Sequence, residues 1–103
     1  MRAQLIAGVY RLYDGCGRSF VGFSRNVEGT RKRLMFELAL NACSYKPLQE
    51  LYNESGGLTF ELLEEFSPES ELDDVVMDAQ LRARLYRWCG ELGDKAVQIQ
   101  RPI

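Results

Sequence analysis

Apolar and polar positions change period several times along the chain, and each change marks an element. From Leu5 to Leu12 the run LIAGVYRL is apolar and β-prone, and Asp14-Gly15 with Gly17 is a turn signal. Ser19-Phe20-Val21-Gly22-Phe23 resumes as a second strand, so the two are expected to pair as an antiparallel hairpin across a turn of three or four residues. After Ser24-Arg25-Asn26 the period lengthens. Val27, Leu34, Leu38 and Ala42 follow at offsets of seven, four and four, one side of a helix running to about Ala42. Asn26 suits its N-cap, because its side chain can accept a bond from a free first-turn amide. A short second helix is expected from Pro47, a residue at home in the first helical position, with Leu48, Leu51 and Tyr52 inward and Gly56-Gly57 at its end.

Leu58-Thr59-Phe60-Glu61-Leu62-Leu63-Glu64 then predicts a third strand with Leu58, Phe60 and Leu62 on one face. Beyond Ser67-Pro68-Glu69, a long amphipathic helix is predicted over Leu72 to Leu92, closed by Gly93. Its expected buried stripe is Leu72, Val75, Val76, Ala79, Ala83 and Tyr86, flanked by Met77, Leu81, Leu85 and Trp88. Trp88 and Tyr86 are expected in the core. Ala96 to Ile99 can be read as a short edge strand or as a tail. The order strand, strand, helix, helix, strand, helix predicts an α+β fold, a small three-stranded antiparallel sheet flanked by helices that bury their stripes against it.

Composition narrows the classes. The 103 residues, 46% hydrophobic and 27% charged, suit a single folded domain over 1–103, with its core within 6–93. No apolar run approaches membrane-spanning length and the N-terminus lacks a cleavage pattern, so neither a membrane span nor a signal peptide is expected. The chain has no histidine. Ser-His and Cys-His nucleophilic systems, imidazole metal ligands and histidine pH switches are thereby excluded. Cys16, Cys43 and Cys89 are an odd number without a Cys-x-x-Cys pair, which argues against a disulfide framework or zinc site. They read as reduced cytoplasmic thiols, two of them buried.

Charge is distributed unevenly. Residues 1–50 hold eight bases and four acids, a balance of +4, whereas residues 51–103 hold five bases and eleven acids, a balance of −6. Arg25, Arg31, Lys32 and Arg33 gather around the start of the first helix and are candidate phosphate contacts for a nucleic acid. A run such as Arg31-Lys32-Arg33 is also what an ordinary solvated helix face looks like.

The hairpin carries Gly8-Val9-Tyr10 and, after nine intervening residues, Phe20-Val21-Gly22. This resembles the two-part signature of the GIY-YIG nucleases. Ser24-x-Asn26-Val27 resembles the stretch leading into that family's first helix. Pro47-Leu48-Gln49, Asn53, Gly56-Gly57 and Phe60-Glu61-Leu62-Leu63-Glu64-Glu65 resemble its next helix, turn and strand. The helix from Leu72 falls where the family's metal-carrying helix lies. The resemblance covers residues 6–93 and implies Mg²⁺-dependent hydrolysis of DNA phosphodiesters. In the family a tyrosine hydroxyl helps activate water, an arginine of the first helix stabilises the charged phosphate, and a glutamate holds the cation. Those residue types suit the chemistry, since the attacking water loses a proton, the phosphate gains charge, and a hard cation takes carboxylate oxygen.

Carried onto this chain, the resemblance assigns Tyr10 to the first tyrosine. Phe20 stands where the second belongs and has no hydroxyl. The arginine expected ten residues later falls on Thr30, with Arg31 rotated about 100° around the helix and Arg33 within about 60° of the expected face. The metal-binding glutamate corresponds to Asp78, one methylene shorter, which displaces the carboxylate by about 1.5 Å. Asp78 also stands four residues before Arg82, an ordinary helix ion-pair spacing.

Three readings therefore stand side by side. One is a GIY-YIG-like nuclease domain with Tyr10, Arg31 or Arg33, and Asp78 at its centre, its hydrolysis impaired by the substitutions. Another is a non-catalytic nucleic-acid-binding module that uses Arg25, Arg31, Lys32 and Arg33. The third is a protein-interaction domain that docks a basic partner on the acidic segment Glu61 to Asp78.

Overall fold

The computed structural model describes residues 6–67, 73–93 and 96–99. Seven elements follow in order: β1 (Ala7–Tyr13), β2 (Ser19–Ser24), α1 (Val27–Ala39), α2 (Lys46–Ser55), β3 (Thr59–Phe66), α3 (Asp74–Leu92) and β4 (Ala96–Gln98). The sheet has four strands in the order β3-β1-β2-β4. The α+β expectation holds, but the purely antiparallel three-stranded sheet does not. β1 pairs antiparallel with β2 and β3, whereas β4 lies parallel to β2, with Phe20 opposite Val97. β3 and β4 consequently run the same way at opposite edges, and α3 carries the chain between them, as a parallel connection requires. Three residues are too few for a periodic signal, which is why Ala96–Gln98 could not be told from a tail.

The hairpin closes through Asp14. Its backbone N–H donates to the Arg18 carbonyl at 3.1 Å. Its carboxylate accepts from the backbone N–H groups of Cys16 at 3.0 Å and Arg18 at 2.9 Å, and from Arg18 Nε at 3.1 Å. Burial would raise the carboxyl pKa, but those donors hold it below the usual carboxylate range.

Asn26 caps α1 as expected, its Oδ1 accepting from the Gly29 N–H at 3.1 Å. The Val27 N–H donates to the Ile6 carbonyl at 2.8 Å, tying the helix start to the β1 entry. The helix stops at Ala39, short of Ala42, because Asn41 takes a left-handed conformation with φ 58°. α2 carries Pro47 in its first turn and ends on Gly56 at φ 75°. Buried Gln49 ties the two helices. Its Oε1 accepts from the Cys43 N–H at 3.0 Å, and its Nε2 donates to the Leu38 carbonyl at 3.2 Å and to Asn53 Oδ1 at 3.0 Å.

The two sheet faces bury different sets. On one, Tyr10, Leu12 and Phe20 pack with Leu34 and Leu38 of α1, Cys43, Leu48 and Leu51 of α2, and Ile99, with Leu58 and Phe60 beside them. On the other, Val9 and Val21 pack against Leu85, and Ala7 and Phe66 against Leu81. A bulge in β3 serves both faces. Val9 pairs with Glu64 but Tyr10 with Leu62, so the extra residue Leu63 joins the α3 side with Glu64 while Leu62 stays opposite Tyr10. Gly8 is needed at this join, since a Cβ there would run into the Glu64 carbonyl.

α3 is rotated from its expected phase. Leu81 and Leu85 are its buried residues, whereas Val75, Val76, Ala79, Ala83 and Tyr86 face outward; Leu72 lies outside the described residues. Trp88 is half-buried, and Tyr86 is exposed rather than in the core. The cysteines are free thiols: Cys43 buried, Cys89 half-buried with its pKa raised by burial, and Cys16 exposed. One, not two, is therefore fully buried. Among the described residues no helix is long and apolar enough to cross a membrane.

Candidate active site

Strand alternation turns Tyr10 toward α1 and α2, where it is 2% exposed and stacks on Phe60 with ring centroids 4.9 Å apart and planes at 15°. Its pairing partner on β2 is Gly22. The tyrosine ring leans over that glycine, where a Cβ would stand 2.8 Å from the Tyr10 hydroxyl oxygen and 3.0 Å from Cζ. The glycine thus makes room for the tyrosine. No described residue hydrogen-bonds the hydroxyl. Burial pushes its pKa up to about 12, with the Arg33 charge pulling the other way. At neutral pH Tyr10 is a protonated phenol, able to donate a hydrogen bond and a poor base. Phe20 is buried beside Tyr45, edge to face at 5.8 Å, and supplies no polar atom.

The β2–α1 junction positions the remaining candidates. Ser24 Oγ accepts from the Asn26 N–H at 2.9 Å and lies 2.8 Å from the Thr30 hydroxyl. Thr30, where the sequence resemblance would place an arginine, thus completes the helix entry. Arg31 donates from Nε and Nη2 to the two carboxylate oxygens of Glu28 at 2.7 and 2.6 Å, which keeps the Glu28 carboxyl below its ordinary range. With Ile6, Val27, Phe60 and Leu62 it lines a cavity of about 210 Å³ between α1 and β3. Arg33 stands 3.9 Å from Glu37 one turn on. Lys32 is exposed and has no ion-pair partner among the described residues.

Arg25 is committed elsewhere. Its Nη1 lies 2.8 Å from Asp74 Oδ1 and its Nε 3.4 Å from Asp78 Oδ1, so one guanidinium spans two carboxylates at the start of α3. The spacing that suggested an Asp78–Arg82 pair is not used, and Arg82 instead lies 5.6 Å from the Phe23 ring centroid. The fold therefore gathers Tyr10 and Arg33 within electrostatic reach on the α1 side, and Asp78 with Arg25 at the α3 entry. Among the described residues no hydrogen bond or ion pair joins the two groups.

Mg²⁺ is bound through one or two carboxylates together with water and phosphate oxygens. Among the described residues no three acidic, cysteine or histidine side chains come close enough to share a cation. Both carboxylates at the α3 entry already face a guanidinium. A divalent ion at Asp78 would have to displace the Arg25 guanidinium from it.

Two carboxylates on the β3 part of the acidic segment are likewise satisfied within the chain. Glu61 accepts from Arg11 Nε at 2.6 Å, and Glu64 from Arg84 Nη1, from Arg87 Nη2 at 2.8 Å and from Trp88 Nε1 at 2.9 Å. Burial would raise the Glu64 pKa, but these donors hold it below the usual range. The i, i+3 and i+4 spacing of Arg84, Arg87 and Trp88 on one helix face was the signal available in the sequence; their shared acceptor, set by the bulge, was not.

This arrangement is a GIY-YIG-like fold. Two solved structures share it. A mutant of the catalytic domain of the intron endonuclease I-TevI superposes with a TM-score of 0.67 at 24% identity, over 88% of this chain and 88% of that one. The catalytic domain of the homing endonuclease I-TevI superposes at 0.69 and 22% identity, over 92% of this chain and 99% of that one. No family model and no curated protein matches the sequence.

Proposed function

We propose that the chain is a nuclease-like domain that engages nucleic acid through the α1 side and whose phosphodiester hydrolysis is impaired. The observation that carries this reading is the Arg25 guanidinium lying against Asp74 and Asp78. Asp78, which the resemblance makes the cation ligand, shares the Arg25 guanidinium with Asp74, so a cation there has to compete with an internal charge. The same reading agrees with the high pKa of Tyr10 and with Phe20 and Thr30 in place of polar and charged groups. DNA is the expected partner, and three free thiols suit a reducing, cytoplasmic setting. Lys32, Arg31 and Arg33 are the phosphate contacts. Pairs as exposed as Arg31–Glu28 and Arg33–Glu37 are worth only about 0–1 kcal/mol, so phosphates can compete for these cations.

The experiment is nicking of supercoiled DNA in Mg²⁺ and in Mn²⁺, with binding followed in parallel as a function of salt. The expected result is metal-independent binding that weakens with salt, with a log–log slope of about −2 to −3 for three phosphate contacts, and little or no nicking. Turnover abolished by both Tyr10→Phe and Asp78→Ala would show a working site and overturn the impairment. An affinity indifferent to salt would overturn the nucleic-acid reading.

A further inference from the structure

α3 carries two apolar faces. Leu81 and Leu85 are spent on the sheet, while Val75, Val76 and Tyr86 remain 79, 40 and 53% exposed, with Ala79 and Ala83 between them on the outward side. At 100° per residue these five span an arc of about 100° centred opposite the core, an uncovered stripe along a helix about 28 Å long. We infer that a second copy of this chain covers it, with the two α3 helices packed antiparallel about a twofold axis near Gln80–Leu81.

Three features favour a like partner. Size grades symmetrically, with alanines at the centre, where backbones approach closest, and larger side chains toward both ends. In an antiparallel pair centred there, Val75 of one copy meets Tyr86 of the other, and the contact repeats at the far end, as an isologous interface demands. Charge is divided along the same helix: the first part carries Asp73, Asp74 and Asp78 against one internal base, Arg25, and the second Arg82, Arg84 and Arg87 against one internal acid, Glu64, which leaves a net acidic and a net basic end. Antiparallel pairing sets the acidic end of one copy beside the basic end of the other and opposes the two helix dipoles. A parallel pair would set acid on acid and base on base. One helix face offers less than the roughly 800 Å² per partner of a standard interface, so the dimer is a weak one. It leaves the α1 side free and does not depend on the proposed function.

Sedimentation velocity on the whole chain from about 10 μM to about 1 mM tests it. A monomer–dimer equilibrium is expected. Ala83→Glu and Tyr86→Ser should each weaken it at least tenfold with unchanged circular dichroism and thermal midpoint, and Arg82→Glu should weaken it as well by removing charge from the basic end. A monomer throughout the range, growth beyond the dimer, or a dimer untouched by folded Ala83→Glu and Tyr86→Ser proteins would overturn the inference. Should Ala83→Glu fail to fold, the Tyr86→Ser and Arg82→Glu proteins decide it.

Discussion

Adding one methyl group at Gly22 tests the packing of Tyr10 directly. A Cβ there would stand 2.8 Å from the tyrosine hydroxyl oxygen, 3.0 Å from Cζ and 3.3 Å from Ile99 Cδ1. The φ of Gly22 is not in the left-handed region, so the backbone accepts alanine and the cost is purely steric. The ring cannot retreat freely, because it is stacked on Phe60 and almost wholly buried. Overpacking of this kind costs about 1–3 kcal/mol, which lowers the thermal midpoint of a domain this size by roughly 5–20 °C. Tyr10→Phe removes an oxygen with no described hydrogen-bond partner, so alone it should change stability by less than about 1 kcal/mol. In the Tyr10→Phe background the closest contact is gone. Gly22→Ala should then cost less by at least about 0.5 kcal/mol, a coupling expected of touching residues. Urea unfolding of the four proteins, followed by Trp88 fluorescence and circular dichroism, measures the cycle. Strictly additive effects, or a Gly22→Ala protein as stable as wild type, would refute the placement of the tyrosine over the glycine.

Alkaline titration gives a second test. The folded pKa of Tyr10 is about 12 against 10.0 for the free side chain, so the unfolded chain loses its proton first. The stability this contributes is complete below pH 10 and falls away between pH 10 and 12, by up to about 2–3 kcal/mol, and Tyr10→Phe should flatten that decline. Glu64 gives the opposite sign. Its pKa lies below the usual value, so its contribution is present above the ordinary Glu range and is lost as the pH falls through its folded pKa. Glu64→Gln should cost about 1–3 kcal/mol at neutral pH and make acid unfolding less steep; an unchanged acid limb would count against the Arg84–Arg87–Trp88 arrangement. Finally, Leu85→Ala should cost about 2–5 kcal/mol while Val75→Ala stays within about 0.5 kcal/mol, and the reverse order would mean that α3 is rotated by half a turn.

Much of the architecture was legible along the chain because local chemistry determines it. The hairpin, the Asn26 cap, Pro47 at the entry of α2, the Gly56 stop and the α+β order each follow from residues within a few positions of one another. The Gly8-Val9-Tyr10 and Phe20-Val21-Gly22 pair also carried the resemblance to the GIY-YIG nucleases, and the fold agrees. What the residues could not settle alone was which side of an element faces inward. α3 has apolar residues nearly all round, so its periodicity admits two phases, and only the sheet beneath it selects Leu81 and Leu85 over Val75 and Ala79.

Long-range pairings account for the remainder. Arg25 and Asp78 are 53 positions apart and meet because β2 ends beside the start of α3, so the helical spacing to Arg82 lost to a partner that no local rule could supply. The β3 bulge was equally hidden, since one extra residue is visible only against the register of the neighbouring strand. β4 owes its place to the helix that returns the chain to the β2 edge. Local pattern along the chain set six of the seven elements, the Asn26 cap, the Gly56 stop and the kinds of residue available for chemistry. Tertiary structure alone decided which charges neutralise one another and which apolar face is left uncovered, because ion pairing and burial depend on distances that only packing sets.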